Sequence, residues 1–570
     1  MKRLQSNSVN EAWSLRLLSL LYQSGVRHFC IAPGSRSAPL TLAAEKLSHH
    51  YADLTLHVHF DERGLGFFAL GLIRATETPV AVITTSGTAV ANLLPATVEA
   101  FQSHKPLILV TADRPQELID CGANQAIHQG GILGTFAPTQ MDFQTTPDQQ
   151  TLPVFDEHWR TIARQLAKPL AQQTPIHINC PFRDPLYPDH MQSTTNTPSV
   201  TDQWLSQWPE QISPGDTRLP VAVDNNSGKR VVVVLGELRH SESALILSWA
   251  ETHGLPVLAD YVSGQRLSSS SAIIAYPELL LGTASGQSWL TQFDTVLQFG
   301  GRITGKRLGQ WLAESRNDYV IVSPSTQALD PSHRATQRMS EIDQYCAAPQ
   351  TFAQVTPLPS QVLESMSQLI ERRCADTFSE LSAVMTLCRW LPDHTQLFAG
   401  NSLAIRWINS VAPQLSGQHT TYCQRGASGI DGLIATAVGI AQGSQRRLVA
   451  LLGDTAALHD LNSLALAAHC TTPLVLIINN NGGGSIFNLL PASKFPDANR
   501  TLFRCEHQWT FSGAAAMFGL PYQGVATQTA FADALAQAAN HQGATVIECA
   551  FPPAHATDLY QQLINELSAL

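Results

Sequence analysis

Two unbroken apolar runs, residues 448–452 and 474–478, constrain this chain more than any other feature. A strand that faces water on one side alternates apolar and polar residues. A run of five consecutive apolar residues must instead be covered on both faces, as in the middle of a parallel sheet. Short runs that read as strands recur at 26–32, 54–60, 80–84 and 107–111, and again at 231–235, 256–259, 295–299 and 319–322, that at 54–60 alternating apolar residues with Thr and His. Helix-length segments separate them. The expected class is therefore α/β, with parallel sheets wound on both faces by helices.

A chain of 570 residues is too long for one core. Two polar stretches, near 184–229 and 330–359, divide it into three blocks, with a helix expected at 361–373. The expected domains are 1–185, 200–355 and 375–570. The first and third share a strand–helix rhythm, which hints at two related domains. Apolar residues form 44% of the chain and charged residues 14%, a globular composition. The formal net charge of −10, with no long basic run, argues against a nucleic-acid partner. The ten cysteines contain no C-x-x-C pair, which fits reduced thiols in the cytoplasm better than a disulfide framework or a zinc site. Glu11 and Arg16 interrupt the first apolar stretch, so it reads as an amphipathic helix rather than a signal peptide. No apolar run reaches the length of a membrane span.

The most informative segment runs from Gly453 to Gly484. One buried strand ends in Gly453-Asp454, a helical segment is expected at about 458–470, and a second strand ends in Asn480-Asn481-Gly482-Gly483-Gly484. Such a unit brings Asp454 and Asn481 out together at the carboxyl edge of a parallel sheet, where ligands bind in open α/β folds. A carboxylate and an amide oxygen are hard donors that suit Mg²⁺ completed by phosphate oxygens and water. A lone Gly-Asp would more often be a helix cap; paired with Asn-Asn on the neighbouring strand it points to a cation.

Gly453-Asp454 followed by Asn480-Asn481 resembles the signature of thiamine-diphosphate enzymes. The resemblance implies three doubly wound domains: pyrimidine-binding, central and diphosphate-binding. It implies that Asp454, Asn481 and the backbone of Gly483 hold Mg²⁺ or Mn²⁺, with Gly453 beside the diphosphate. Thr455-Ala456 stands where many relatives have Gly-Ser, which affects a secondary diphosphate contact. The family also uses a catalytic glutamate against N1′ of the aminopyrimidine. Glu62, at the end of the strand expected at 54–60, is the candidate; a solvated helix start is the alternative for 61–63. In the family the glutamate and the diphosphate site come from different subunits, so a homo-oligomer, dimer or tetramer, is implied.

Longer strings narrow the resemblance: 32–37 (APGSRS), 59–64 (HFDERG), 120–125 (DCGANQ), 304–307 (TGKR), 400–402 (GNS), 425–432 (RGASGIDG) and 486–491 (IFNLLP). Together they resemble the 2-succinyl-5-enolpyruvyl-6-hydroxy-3-cyclohexene-1-carboxylate synthases of menaquinone biosynthesis. That resemblance implies a transferase which decarboxylates 2-oxoglutarate and adds the resulting carbanion to isochorismate. Both substrates are dicarboxylates and call for cationic side chains. The implied substrate contacts are Ser35, Arg36, Asn124, Gln125, Lys306, Arg406, Arg425, Phe487 and Leu490. Ile430 and Ile486 are implied at the cofactor. Taken singly, each basic residue is more often a surface ion pair.

Gly300 to Lys306 nearly matches a nucleotide-binding P-loop, but Arg307 stands where Ser or Thr would meet magnesium. It reads instead as a substrate-facing loop. The pairs His49-His50 and His57/His59 lack the companions of a zinc site. A flavin or nicotinamide oxidoreductase would need a G-x-G-x-x-G turn after a strand, and none is suitably placed. A catalytically dead homologue would be expected to lose Glu62, Asp454 or Asn481, and all three are present.

Overall fold

The structure, a computed structural model, describes residues 6–143, 152–187, 226–325, 327–539 and 541–570. It contains three sheets in which every strand pairing is parallel. The first holds β1 (His28–Ile31), β2 (Thr55–Val58), β3 (Val80–Thr84), β4 (Leu107–Asp113), β5 (Thr139–Asp142) and β6 (Ile176–Pro181). Their order is β2-β1-β3-β4-β6-β5. The second holds β7 (Val231–Leu235), β8 (Val257–Ala259), β9 (Thr295–Phe299), β10 (Asp318–Val322) and β11 (Gln337–Met339), ordered β11-β10-β9-β7-β8. The third holds β12 (Gln396–Ala399), β13 (Thr421–Cys423), β14 (Leu448–Gly453), β15 (Leu474–Asn480), β16 (Tyr522–Val525) and β17 (Ala544–Ala550), ordered β13-β12-β14-β15-β17-β16.

The unbroken apolar runs became central strands for the expected reason. β3, β7 and β9 are buried at every position, and β14 and β15 at all but their last residue. Each buried Val, Leu or Ile contributes roughly 1.5–3 kcal/mol over leaving it exposed. Seven strands lie where no run was read. β5, β11, β13 and β16 lie at sheet edges and expose part of their length, so they need no apolar run. β6, β12 and β17 are internal and largely buried, but His177, Gln396 and Glu548 interrupt their apolar pattern. β11 and the helix Ile342–Ala347 lie inside the stretch read as polar linker at 330–359. The expected helix at 458–470 is instead Asp454–His459, a short 3-10 turn and Leu464–Ala468. The helix expected at 361–373 spans Ser360–Ala375. Of the polar stretch at 184–229, residues 188–225 lie outside the described residues.

The chain forms two compact units: Met1–Leu219 with Ala435–Ser444, and Pro220–Ile434 with Gln445–Leu570. In the first, the helix Glu62–Thr76 meets residues 435–444 backbone to backbone. A Cβ on Gly71 would lie 2.2 Å from the Thr436 carbonyl oxygen, and one on Gly439 2.2 Å from that of Phe68. The Thr436 hydroxyl donates to the Phe67 carbonyl at 3.2 Å. In the second unit the middle and third sheets are joined by buried polar contacts. Tyr261 donates to the Leu397 carbonyl at 3.0 Å. The buried Arg266 guanidinium donates to the carbonyls of Asn409 (3.0 Å) and Ala412 (2.9 Å), at the end of the helix Leu403–Val411.

Candidate active site

The register of β14 on β15 pairs Leu452 with Ile478 and Gly453 with Asn479, so their carboxyl ends emerge side by side. Asp454 follows directly and is 2% exposed. Its Oδ2 accepts the backbone N–H of Asn481 at 3.1 Å and of Gly483 at 2.8 Å. Its Oδ1 accepts the N–H and the hydroxyl of Thr455. A helix cap alone would bind only its own helix; this carboxylate ties two strand tips together. Burial raises the Asp454 carboxyl above its ordinary value, against the opposing effect of those N–H donors and of His507. The ring Nε2 of His507 lies 3.5 Å from Oδ2.

The glycine run has a steric reason. Gly483 has φ 134°, and a Cβ there would sit 2.4 Å from the Arg504 carbonyl oxygen. Only glycine lets the backbone take that path.

Asn481 is 5% exposed. Its Nδ2 donates to Glu380 Oε1 at 2.7 Å, and its Oδ1 accepts the Ser485 hydroxyl at 2.8 Å. The preceding Asn480 is held in the same way, donating to Glu548 Oε1 at 2.6 Å and to the Trp509 carbonyl at 2.8 Å. Glu380 went unnoticed in the sequence because an acid in the first turn of a helix is ordinary. Its signal is that the rest of the helix Glu380–Trp390 is largely apolar and buried as far as Cys388. Burial pushes the Glu380 carboxyl up to about 7, opposed by the bonds from Asn481 and Trp407.

A buried carboxylate, an amide oxygen and the Gly483 backbone make a hard, oxygen-only set beside one anionic charge. Among the described residues the ion-pair partner of Asp454 is a histidine ring rather than Lys or Arg, which leaves its charge to be met by a cation. The residues fit Mg²⁺ or Mn²⁺.

In the first unit Glu62 is the first residue of its helix and half-buried. Asp61 supplies the cap, accepting the N–H groups of Arg63 (3.0 Å) and Gly64 (3.4 Å). Glu62 is thereby left out of the capping, and its Oε2 accepts the amide of Asn92 at 3.3 Å. Val58 and Phe60, just before it, are 62% and 59% exposed. Arg36 is largely buried and donates to the Phe182 carbonyl at 2.9 Å, with Asp184 at 3.5 Å. Ser35, Asn124 and Gln125 are exposed. A cavity of about 220 Å³ opens at the ends of β4 and β6, lined by Asp113, Arg114, Gln129, Asp142, Asn179 and Arg183 among others. None of the residues singled out in the sequence lines it.

In the second unit Arg406 and Arg425 are brought together. Arg406 is half-buried and donates to the Ser402 carbonyl at 2.7 Å. Its pKa is lowered by burial and then by the charge of Arg425. Arg425 donates to Asn401 Oδ1 at 3.1 Å. Lys306 is exposed at the start of the helix Lys306–Glu314. The P-loop resemblance fails there for a physical reason: Asp260 Oδ2 accepts the N–H groups of Thr304 (2.9 Å) and Gly305 (2.7 Å). Glu278 takes those of Arg307 (2.8 Å) and Leu308 (3.3 Å). Two carboxylates fill the place a phosphate would need. Ile430, Ile486 and Phe487 are half-buried, and Leu490 is 42% exposed.

Three protein families match the chain in order. They are the N-terminal TPP binding domain of thiamine pyrophosphate (thiamine diphosphate) enzymes over residues 15–150, the middle domain over 197–399, and the C-terminal TPP binding domain over 405–549. A curated 2-succinyl-5-enolpyruvyl-6-hydroxy-3-cyclohexene-1-carboxylate synthase from Halorhodospira halophila is 42% identical, covering 100% of both chains. One of the same name from Yersinia enterocolitica is 38% identical over 98% of this chain and 99% of its own. A solved structure from Mycobacterium smegmatis, assigned as thiamin diphosphate-dependent, shares the fold with TM-score 0.64. It is 17% identical and covers 94% of this chain and 98% of its own. With the oxygen-lined strand tips in place and relatives matched end to end, this chain belongs to the 2-succinyl-5-enolpyruvyl-6-hydroxy-3-cyclohexene-1-carboxylate synthase family of thiamine-diphosphate enzymes.

Proposed function

We propose that the chain joins 2-oxoglutarate to isochorismate, giving 2-succinyl-5-enolpyruvyl-6-hydroxy-3-cyclohexene-1-carboxylate and CO₂, in menaquinone biosynthesis. The observation that carries this reading is the Asp454–Asn481–Gly483 constellation, in which a buried carboxylate ties together two adjacent strand tips. Thiamine diphosphate, when bound, supplies the electron sink for decarboxylation and carbon–carbon bond formation. Asp454, Asn481 and the Gly483 carbonyl hold Mg²⁺ (or Mn²⁺) against its diphosphate, with Gly453 alongside. Ile430 and Ile486 pack against the cofactor.

Glu62 holds and returns a proton at N1′ of the aminopyrimidine, the general acid–base step. Arg406 and Arg425 engage substrate carboxylates; the mutual repulsion of two crowded guanidiniums is relieved when an anion binds between them. Lys306 and Arg36 add positive charge. Ser35, Asn124 and Gln125 provide polar contacts, while Phe487 and Leu490 form an apolar wall. The division into domains 1–185, 200–355 and 375–570 assigns the pyrimidine, central and diphosphate roles in turn. Glu62 of one subunit serves the cofactor of another, so the working form is a homodimer or a tetramer, placed in the cytoplasm. No helix among the described residues is long and apolar enough to cross a membrane.

The test is to supply thiamine diphosphate, Mg²⁺ and 2-oxoglutarate with and without isochorismate. The adduct should form only when both substrates are present. Pyruvate replacing 2-oxoglutarate equally well would overturn the substrate assignment.

A further inference from the structure

We propose that Glu380 is a positioning residue that fixes which end of the Asn481 amide faces the cation. The inference rests on Asn481 being a cation ligand and extends that reading to the helix behind it. An asparagine amide has near-identical ends in shape and opposite ends in chemistry; only the oxygen can bind a metal. Something must decide between them.

Glu380 is 3% exposed, and with an N–H donor facing each of its oxygens it acts here as an acceptor. Its Oε1 takes the Asn481 Nδ2 at 2.7 Å, and its Oε2 takes Trp407 Nε1 at 2.8 Å. With Nδ2 bound to the carboxylate, Oδ1 must point the other way. There it also meets the Ser485 hydroxyl at 2.8 Å, which can donate to an oxygen whether or not a cation is bound. The Asp454 carboxylate cannot set this orientation, because it contacts Asn481 only through the backbone N–H. The Trp407 indole has one role in the arrangement: as a pure donor it occupies the second oxygen of Glu380 and makes that position demand an acceptor.

This dependence on two donors gives a test that separates orientation from charge. In Glu380→Gln one acceptor becomes an NH₂ group. Either it confronts the Trp407 N–H, donor against donor, or it turns toward Asn481 and forces that amide to flip its nitrogen toward the cation. In Glu380→Gln/Trp407→Phe the competing donor is gone. The glutamine oxygen can then face Asn481 and restore the original orientation, although the negative charge is still missing.

The measurement is the Mn²⁺ dissociation constant with thiamine diphosphate present, by electron paramagnetic resonance. It is accompanied by thermal melting of the cofactor-free protein to establish that each variant is folded. Glu380→Gln should weaken Mn²⁺ roughly 10- to 100-fold, the range for a residue that orients a metal ligand. The double variant should return to within about threefold of the parent, and Trp407→Phe alone should remain near it, as orientation control requires. Parent-like Mn²⁺ binding in Glu380→Gln overturns the proposal. A double variant as weak as the single one also overturns it, since charge alone then explains the loss. Asn481→Ala separates this from the underlying reading: if that variant binds Mn²⁺ normally, Asn481 is no ligand and it is the cation site that fails.

Discussion

The first and third sheets are wound in the same order. Renumbering each from its own first strand gives 2-1-3-4-6-5 for both, yet their carboxyl edges do different work. In the third sheet the tips of the third and fourth strands carry Asp454 and the Asn480-Asn481 pair, whose amides are held by buried glutamates. In the first sheet the fourth strand ends in Asp113, which spends its carboxylate internally. Asn179 donates to Asp113 at 2.9 Å, and Gln129 donates to Asn179 at 2.7 Å, to Thr111 at 3.2 Å and to the Ala112 carbonyl at 2.9 Å. The carboxylate of the first sheet proposed to act is instead Glu62, after an edge strand. Arg425, after β13, stands at the matching place in the third sheet. A shared winding therefore fixes where side chains can emerge, while the residues at each tip decide what that place can hold.

That contrast can be broken most severely at Glu62. Glu62→Gln should slow exchange of the thiamine C2 proton about 10²- to 10⁴-fold, read by deuterium exchange, with Mn²⁺ affinity unchanged. Near-normal exchange would remove the first sheet from the chemistry. Next, Asp454→Ala should cost at least about 100-fold in cation affinity, while Asp113→Asn should leave it untouched. Equal losses would erase the distinction between the two edges. Arg425→Ala should raise KM for a dicarboxylate substrate about 10- to 100-fold with a smaller change in kcat, as loss of a charge-assisted bond predicts. An effect confined to kcat would place Arg425 elsewhere in the cycle.

The smallest difference is one of acid tolerance. Strands of the first sheet carry His28, His57 and His177; those of the third carry no histidine. Burial lowers His57 to about 3 and His177 to about 4, from an ordinary 6.5. Because the folded values lie below the unfolded ones, the contribution is present above about pH 6.5 and is lost as pH falls. For His177 the loss is about 2 kcal/mol by pH 5. His177→Gln should flatten the fall in melting temperature between pH 7.5 and 5.

How much of this was legible follows from what each residue had to do. Residues 448–452 and 474–478 announced buried central strands because nothing else tolerates such a run, and they placed Asp454 and Asn481 correctly at adjacent tips. Thr139–Asp142, Gln337–Met339, Thr421–Cys423 and Tyr522–Val525 were silent, since an edge strand pairs on one side and can stay polar. The internal strands Ile176–Pro181, Gln396–Ala399 and Ala544–Ala550 were missed because a buried polar residue breaks each pattern. The interruption between Asp454 and Ala468 was also hidden, because its apolar spacing suits one helix or several turns. Arg36 meets the Phe182 carbonyl and Asp184 through one terminal nitrogen, a contact its local string does not encode. Glu380 and Asp260 act through partners far along the chain, Asn481 and Asn409. No local spacing encodes such a pairing.

The insertion of Ala435–Ser444 into the first compact unit bears on how the protein is born. The surface around Gly71 that receives those residues is synthesised early, and the segment that covers it leaves the ribosome more than 350 residues later. At about 5–20 residues per second, that groove waits on the order of 20 to 70 s for its lid. A fragment ending before residue 435 would carry an uncovered helix face, whereas a break placed after residue 444 would leave the nascent unit whole.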